Sequence, residues 1–471
     1  MCERGHRGGG DEGSGEENRR CSGVLEGREA STTTTTTSSS GKKRLYYKFG
    51  DIKDGQVCAP VIVRRVLEEE GWREAGEDVA WNLFWKSGRF TVGEYDRARS
   101  FDQRLNHFAK SGQICTKDSL VRIMRRNKAT HGRVYDFVPE TYLLPNEYNK
   151  FIKSYGEQRD QDTLWICKPT DLSRGQKIFV MKDIRELVYD CSSVIQRYIH
   201  NPLLVGGYKF DLRIYVLVSS MHPLKIHLFQ DGLCRFGTVP YSKGNYSDIW
   251  AHLTNFSINK NSPTYDWDKD TIGVANKWTL RRLTEYLRSR GVPMEAVMLK
   301  IKALVILSLV SLPGIVPKTS SGTCFELFGF DVILSSDFKP WLLEVNTSPA
   351  LGIDCFEDED VKEPLIRDLL SAVQFGKLSD RKRERKRPWS RRSGTRVLTG
   401  KTSDQNENGE GTFQMNHAGQ YEQIFPFNQK TFLLSNQLDC AKDPVPIVKQ
   451  VIAEIKTWKR ETMKEIRNQK V

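Results

Sequence analysis

A chain of 471 residues with a formal net charge of +13 and a pI near 9.1 can hold two or three packed subdomains, and its basic balance favours an acidic partner: nucleic acid, an anionic membrane or an acidic protein surface. Its ten cysteines contain no Cys-x-x-Cys pair, which excludes a zinc ribbon and a disulfide framework and fits a reducing compartment. No apolar leader opens the chain, and its most apolar run, Ala303 to Leu312, is too short to span a bilayer, so neither a signal peptide nor membrane insertion is expected.

Residues 1–43 are rich in Gly, Glu, Arg, Ser and Thr, with an unbroken threonine run from Thr32 to Thr37. Such a segment buries too little apolar area to fold and is expected to be disordered. Order is expected from Leu45. Val61 to Glu70 reads as a helix, and the aromatic cluster Trp81, Phe84 and Trp85 reads as core. TKDSLVRIMRR opens a second helix that Thr116 or Asp118 can cap. Val138 to Pro145 reads as extended. Leu164 to Lys168 and Ile178 to Met181 read as strands joined by the loop DLSRGQK. That loop is either an ordinary hairpin connection or a flap that covers phosphates with backbone N–H groups. Ser193 to Ile199 reads as a third strand, of the kind that can offer main-chain groups to an adenine edge.

From Tyr208 to Ser219, Leu212, Ile214, Val216 and Val218 share one strand face, and Lys209, Asp211 and Arg213 share the other. Three charges on one face are either a solvated edge or a site for phosphate and carboxylate groups. KIHLFQDGLCRFGTV follows and is predicted to turn at Asp231-Gly232 as a type I′ hairpin, with Arg235 on its return arm. HLTNFSINK is polar between apolar anchors. Helices are predicted over Thr279 to Arg290, with Leu280, Leu283 and Leu287 on one face, and over Met294 to Leu312.

Phe325 to Pro349 then reads as a hairpin. Folded about the midpoint between Asp337 and Phe338, it sets Val332 opposite Leu343, Ile333 opposite Leu342 and Asp331 opposite Glu344. Two carboxylates on facing Cβ atoms about 5 Å apart repel, so one protonates or a cation sits between them. Asn346 shares the face of Glu344. Oxygens of Asp, Glu and Asn converging on one point suit Mg²⁺; the alternative is a surface hairpin whose charges meet solvent. An acidic loop, EDEDVK, follows and contains Lys362. Beyond Gln374 the chain reads as a basic tail, with eight basic residues against one Glu between Arg381 and Arg392. Within it the segment YEQIFPFN is expected to dock back on the fold, and Ile447 to Ile466 reads as a basic amphipathic helix.

WICKPTDLSRG, VIQRYI, YKFDLRIYVLV, HLTNFSINK and FELFGFDVIL…PWLLEVNTSPAL, in that order, resemble the tubulin–tyrosine ligase-like family of ATP-grasp ligases. The amino-acid chain-extending members are more similar than the tyrosine ligase itself. The resemblance covers about residues 44–375, with YEQIFPFN as an outlying match, and divides the chain into segments 1–43, 44–375 and 376–471. It implies an α+β ATP-grasp fold, in which two α+β subdomains clasp ATP. It places Lys168 on the phosphates, with Arg174 and Gly175 in the flap. Gln196, Arg197, Tyr198 and Ile199 fall at the adenine hinge, and Lys209, Asp211, Thr254 and Asn255 beside the nucleotide. Arg213 falls at the reacting phosphate, and Asp331, Glu344 and Asn346 on two Mg²⁺ ions. Lys168, Arg213 and Glu344 take the catalytic roles. Arg235, Lys277 and Lys362 fall where glutamylating members bind free L-glutamate, and Arg174 where the acceptor chain approaches.

The implied activity is ATP-dependent addition of glutamate to glutamate side chains in tubulin tails, by a monomer in the cytoplasm and on the cytoskeleton, extending to the cilium or flagellar basal body. Nucleic acid is not an expected partner, because no base-stacking motif accompanies the charge, and neither is a membrane, because the most apolar run is too short to span one. One position departs from the family pattern SRGxGI: Lys177 stands where the second glycine is expected, and glycine is the residue that readily takes positive φ. A non-catalytic microtubule-binding protein with a retained fold is therefore the alternative reading.

Overall fold

The structure is a computed structural model. It describes residues 44–468 without 54–55, 77–78, 99, 101, 159–162, 173–174, 189–190, 266–276, 319–321, 374, 376–412, 414 and 416. Segment 1–43, Arg174 and the basic run 381–392, all of which carry expectations above, lie outside the described residues.

The first elements are β1 (Tyr46–Phe49), α1 (Val61–Glu69) and β2 (Leu83–Trp85). Strands Arg73–Glu74 and Arg104–Leu105 flank β1 and β2 in a four-stranded sheet whose neighbours all run parallel. Ile62, Val63, Val66 and Leu67 give α1 a buried stripe at helical spacing. Phe84 and Trp85 are core, as the aromatic cluster predicts. Helix α2 (Lys117–His131) starts after Thr116, whose side chain makes no capping bond.

The middle of the chain builds a second, antiparallel sheet from β3 (Thr141–Leu144), β4 (Trp165–Pro169), β5 (Phe179–Met181) and β6 (Ser193–Arg197), with α3 (Tyr148–Glu157) between β3 and β4. The order is β3-β6-β4-β5, around Phe151, Trp165, Met181 and Ile195.

The largest sheet starts with the long strands β7 (Tyr208–Met221) and β8 (Leu224–Phe236). There follow β9 (Lys277–Thr279), α4 (Leu280–Ser289), α5 (Met294–Leu309), β10 (Glu326–Leu334), β11 (Pro340–Thr347), α6 (Phe356–Val373), β12 (Tyr421–Phe425), α7 (Gln429–Cys440) and α8 (Val445–Asn468). The sheet runs β11-β10-β7-β8-β12, and β9 also pairs with β8. Leu280, Leu283 and Leu287 bury one face of α4 as predicted. The stretch Met294–Gly314 is long and apolar enough to cross a membrane, yet 72% of it is buried inside the fold, as a core helix is.

Four sequence expectations change. Asp231-Gly232 is not a turn: β8 continues through it with a register irregularity between Leu228 and Gly232, and the chain reverses between Met221 and Leu224. The Asp231 carboxylate accepts from the backbone N–H groups of Gly232 (2.8 Å) and Arg281 (3.0 Å). A Cβ on Gly232 would lie 2.6 Å from the Arg213 carbonyl oxygen. The pair therefore serves a strand irregularity and a close backbone approach, two uses of strand glycine that resemble a hairpin signal.

In the β10–β11 hairpin, Asp331 does face Glu344, but Val332 faces Leu342 and Ile333 faces Trp341. An irregularity beside Asp331 shifts the register by one residue, so the five-residue loop and the carboxylate pairing coexist. EDEDVK is not a loop but the start of α6, whose first turn holds Glu357, Asp358 and Glu359, where negative charge suits the helix dipole. Finally, the described part of the expected tail belongs to the same unit as the rest of the described chain. β12 pairs with β8, and Val448, Val451, Ile452 and Ile455 of α8 join the main core with Ile424 and Phe425. The apolar stripe of the amphipathic helix is covered by the fold, and Phe427 stacks on Trp458 at 4.8 Å between centroids.

Candidate active site

Alternation along β7 turns Lys209, Asp211 and Arg213 to one side, and the neighbouring strands continue the row. Asp211 stands opposite Arg235, and Arg235 opposite Lys277. In the other direction Arg213 stands opposite Asp331, and Asp331 opposite Glu344. Arg213 donates to Asp331 through Nε at 2.5 Å and Nη2 at 3.0 Å. Arg235 bridges the two buried aspartates, donating from Nε to Asp211 at 3.0 Å and from Nη2 to both Asp211 and, at 2.8 Å, Asp331. Five strands thus lay a row of both charge signs across one sheet face, with two carboxyls adjacent at one end and two cations adjacent at the other.

The two facing carboxyls titrate apart. Burial opposes ionisation of Asp331, but Arg213 and Arg235 outweigh it and hold its pKa far below the usual carboxylate range. Burial and then the Asp331 charge push Glu344 up. That is the response expected of like charges forced together. Asn346 donates from Nδ2 to Glu344 at 3.2 Å. Among the described residues no group of three or more His, Cys, Asp and Glu side chains forms a ready metal cage. The set here is two carboxylates and an amide. This fits Mg²⁺, which is held by one or two carboxylates together with water and phosphate oxygens rather than by an all-protein cage. It does not fit a soft metal.

The opposite wall is the second sheet. Lys168 on β4 donates to Gln196 Oε1 at 2.8 Å, and Gln196 donates on to Thr141 at 2.9 Å. Burial pulls Lys168 down to about 8. Lys209 donates to the Tyr198 hydroxyl at 2.8 Å and the His252 carbonyl at 2.7 Å, and burial lowers it to about 7. Lys168, Gln196, Arg197, Tyr198, Ile199, Lys209, Asp211, Arg235, Thr254, Asn255, Asp331 and Glu344 all line one cleft, whose apolar walls are Ile166, Ile178, Ile333 and Leu343. These residues lie as much as 178 positions apart and share no local pattern.

Gly175 has φ +81, and a Cβ there would lie 2.3 Å from Ile258 and 3.1 Å from Asn255 Oδ1. The flap glycine therefore packs directly against the HLTNFSINK segment. Lys177 has φ 52. That is left-handed backbone, which costs a non-glycine residue about 1–2 kcal/mol.

Lys277 and Lys362 are not free lysines. Both ammonium groups lie 2.6 Å from the carboxylate of Asp358. Three further groups gave no signal in the sequence. Lys117, the first residue of α2, lines the same cleft and donates to the Leu172 carbonyl at 2.6 Å, tying the base of the flap to that helix. His107 contacts Glu326 at 2.6 Å and the Lys86 carbonyl at 2.8 Å, and lies 3.1 Å from Ser348 Oγ. It thereby links both strands of the carboxylate hairpin to the first sheet. Asp358 itself is the third.

The cleft between two sheets thus brings together opposed carboxyls, a guanidinium on each aspartate and two lysines whose pKa values burial lowers, a donor set chemically suited to a polyanion and a hard cation. The chain belongs to the Tubulin-tyrosine ligase family, whose sequence profile matches residues 96–382. It is 40% identical over 336 residues to a human protein named probable tubulin polyglutamylase TTLL2, covering 69% of this chain and 56% of that relative. The mouse protein of the same name is 42% identical over 328 residues, covering 68% and 60%. Human tubulin polyglutamylase TTLL5 is 37% identical over 328 residues, covering 67% of this chain and 25% of the relative. The chain thus spans little more than half the length of the first two relatives.

Proposed function

We propose that this chain is an ATP-grasp ligase that adds free L-glutamate to glutamate side chains in the acidic tails of tubulin. The observation that carries the proposal is the cleft in which Asp211, Arg235, Asp331 and Glu344 of the charge row meet Lys168 and the Gln196–Ile199 segment, with Arg213 and Lys277 extending the row along the sheet. In this reading ATP lies between the sheets, with its base at Gln196 to Ile199 and its phosphates toward Lys168 and Arg213. Asp331, Glu344 and Asn346 would hold two Mg²⁺ ions, which supply neutralisation of phosphate charge.

An acceptor carboxylate oxygen attacks the γ-phosphorus, the bond to the β,γ-bridging oxygen breaks, and ADP leaves. The amine of glutamate attacks the acyl phosphate carbon, phosphate departs, and the amine proton passes to solvent or phosphate. The protein positions the groups and offsets their charge. Arg213 stabilises the transferring phosphoryl group. Arg235, held between Asp211 and Asp331, couples the amino-acid side of the row to the metal side. Lys277 and Lys362 receive the free amino acid, and Arg174 would meet the acceptor chain. The left-handed backbone of Lys177 supports a working flap over the non-catalytic alternative. The reading carries with it a monomer acting on microtubules in the cytoplasm or cilium.

The test is mass spectrometry of tubulin incubated with the protein, MgATP and glutamate. Added masses of one or more glutamyl units that require ATP support the proposal. Unmodified tubulin alongside bound ATP contradicts it.

A further inference from the structure

Asp358 is fully buried in the first turn of α6. It meets Lys277 of β9 and Lys362, one turn further along its own helix, each at 2.6 Å. It also accepts from the backbone N–H of Asp354 at 3.1 Å. Both lysines are themselves buried, at 5% and 3% exposure, so the three charges interact in a medium that screens them weakly. Lys362 further donates to the Gly352 carbonyl at 2.5 Å, and Lys277 reaches Asp354 at 3.4 Å and lies 3.9 Å from the centre of the Phe256 ring. Burial pushes the Asp358 carboxyl up, but Lys362 and Lys277 outweigh this and hold it below its ordinary value.

The count of charges gives this arrangement its meaning. Two buried ammonium groups without an anion between them would repel and shed a proton. Two with two buried anions would leave nothing for a ligand. One buried carboxylate between them leaves a surplus of one positive charge, with both donors aimed at one point. The half-exposed Asp354 at the rim is screened by solvent and contributes little.

We propose that Asp358 is the positioning residue of the amino-acid pocket. It holds Lys277 and Lys362 converged and sets the single unmatched positive charge that selects an amino acid carrying a side-chain carboxylate over a neutral one. The inference rests on the reading above that these two lysines receive the free amino acid. A ligand carboxylate completes the set as two cations with two anions, whereas glycine leaves a buried charge unmatched, which is costly.

The test is calorimetric titration of L-glutamate and of glycine into the Mg·ADP-loaded protein, wild type and Asp358→Asn. The expected result is a loss of glutamate affinity of about tenfold to a hundredfold, the worth of a charged hydrogen bond, with ADP affinity within about twofold and discrimination against glycine reduced. Asp358→Glu, which keeps the charge, should recover most of the affinity. In a Lys277→Met/Lys362→Met background the Asn substitution should add less than about twofold, because partners in one network are not additive. If Asp358→Asn does not fold, Asp358→Asn/Lys362→Met removes the ion pair as a unit and is compared with Lys362→Met alone; about fivefold weaker glutamate binding is expected from the unaimed Lys277.

Unchanged glutamate affinity, an equal loss of ADP affinity, or no glutamate binding by the wild type would overturn the inference. A wild type that binds glutamate yet leaves tubulin unmodified overturns the ligase reading instead.

Discussion

Two hairpins lie side by side in one sheet, joined through the pairing of β10 with β7, and they carry opposite charge. The β10–β11 hairpin brings Asp331 and Glu344 together, and alone it is a pair of anions that repel. The β7–β8 hairpin brings Asp211, Arg213 and Arg235 together, and its guanidinium groups hold Asp331 ionised. Neither hairpin has a usable site without its neighbour. Electrostatic neutrality is reached across strands that are distant in sequence, and the one group left without an arginine, Glu344, is the one whose pKa rises.

The strongest way to break the pairing is to remove what covers the outer side of β8. Deleting residues 417–471 takes away β12, which pairs with β8, and the α8 stripe that closes the main core. An uncovered edge of this kind aggregates. The expected outcome is loss of soluble, cooperatively melting protein, measured by yield and thermal unfolding. A soluble truncation with a sharp transition would make the segment an appendage after all.

Glu344→Gln is expected to lower ligase activity by more than about a hundredfold, the scale of losing one charge partner of a transferring group, without lowering the melting temperature. The pH dependence sharpens this. A carboxyl whose folded pKa lies above its ordinary value of 4.5 contributes stability below that value and loses it as pH rises through the folded one. The wild type should therefore lose stability on that climb, and the Gln variant should lose less. Parallel stability–pH curves, from denaturant midpoints, would remove Glu344 from the strained pair.

Arg235→Met tests whether the two hairpins are coupled. The variant leaves Asp211 and Asp331 buried with one cation fewer, and breaking a buried pair costs about 3–5 kcal/mol. Because Arg235 touches both aspartates, KM should rise for MgATP as well as for glutamate. An effect on glutamate alone would return Arg235 to the amino-acid pocket as a simple ligand. The smallest effect is expected of Gly232→Ala, whose new Cβ meets the Arg213 carbonyl at 2.6 Å. Overpacking of this kind costs about 1–3 kcal/mol, visible as a lower melting temperature with activity retained in the folded fraction.

The same two hairpins show what the sequence could and could not say. The Asp331–Glu344 pairing was legible because a short polar loop between apolar runs fixes a register locally. Its one-residue irregularity was not, because nothing local demands it. In β7–β8 the Asp-Gly signal misled, since a glycine needed for close backbone approach and one needed for a turn look alike in sequence. EDEDVK read as a loop because its acids mask the buried stripe Val361, Leu365, Ile366 and Leu369. The lysines were found by family likeness, but Asp358, which pairs with both of them, was not. Lys117 and His107 act through contacts with residues distant in sequence, which leave no periodicity and no motif.

The most direct test of the central claim, that the opposed carboxyls form the cation site of a nucleotide cleft, is a calorimetric titration of ATP at rising Mg²⁺ with wild type and Glu344→Gln. The account predicts that Mg²⁺ tightens ATP binding to the wild type by at least about tenfold, the scale of one charged contact, and that Glu344→Gln loses this gain while keeping the metal-free affinity. An equal Mg²⁺ gain in both proteins would contradict it.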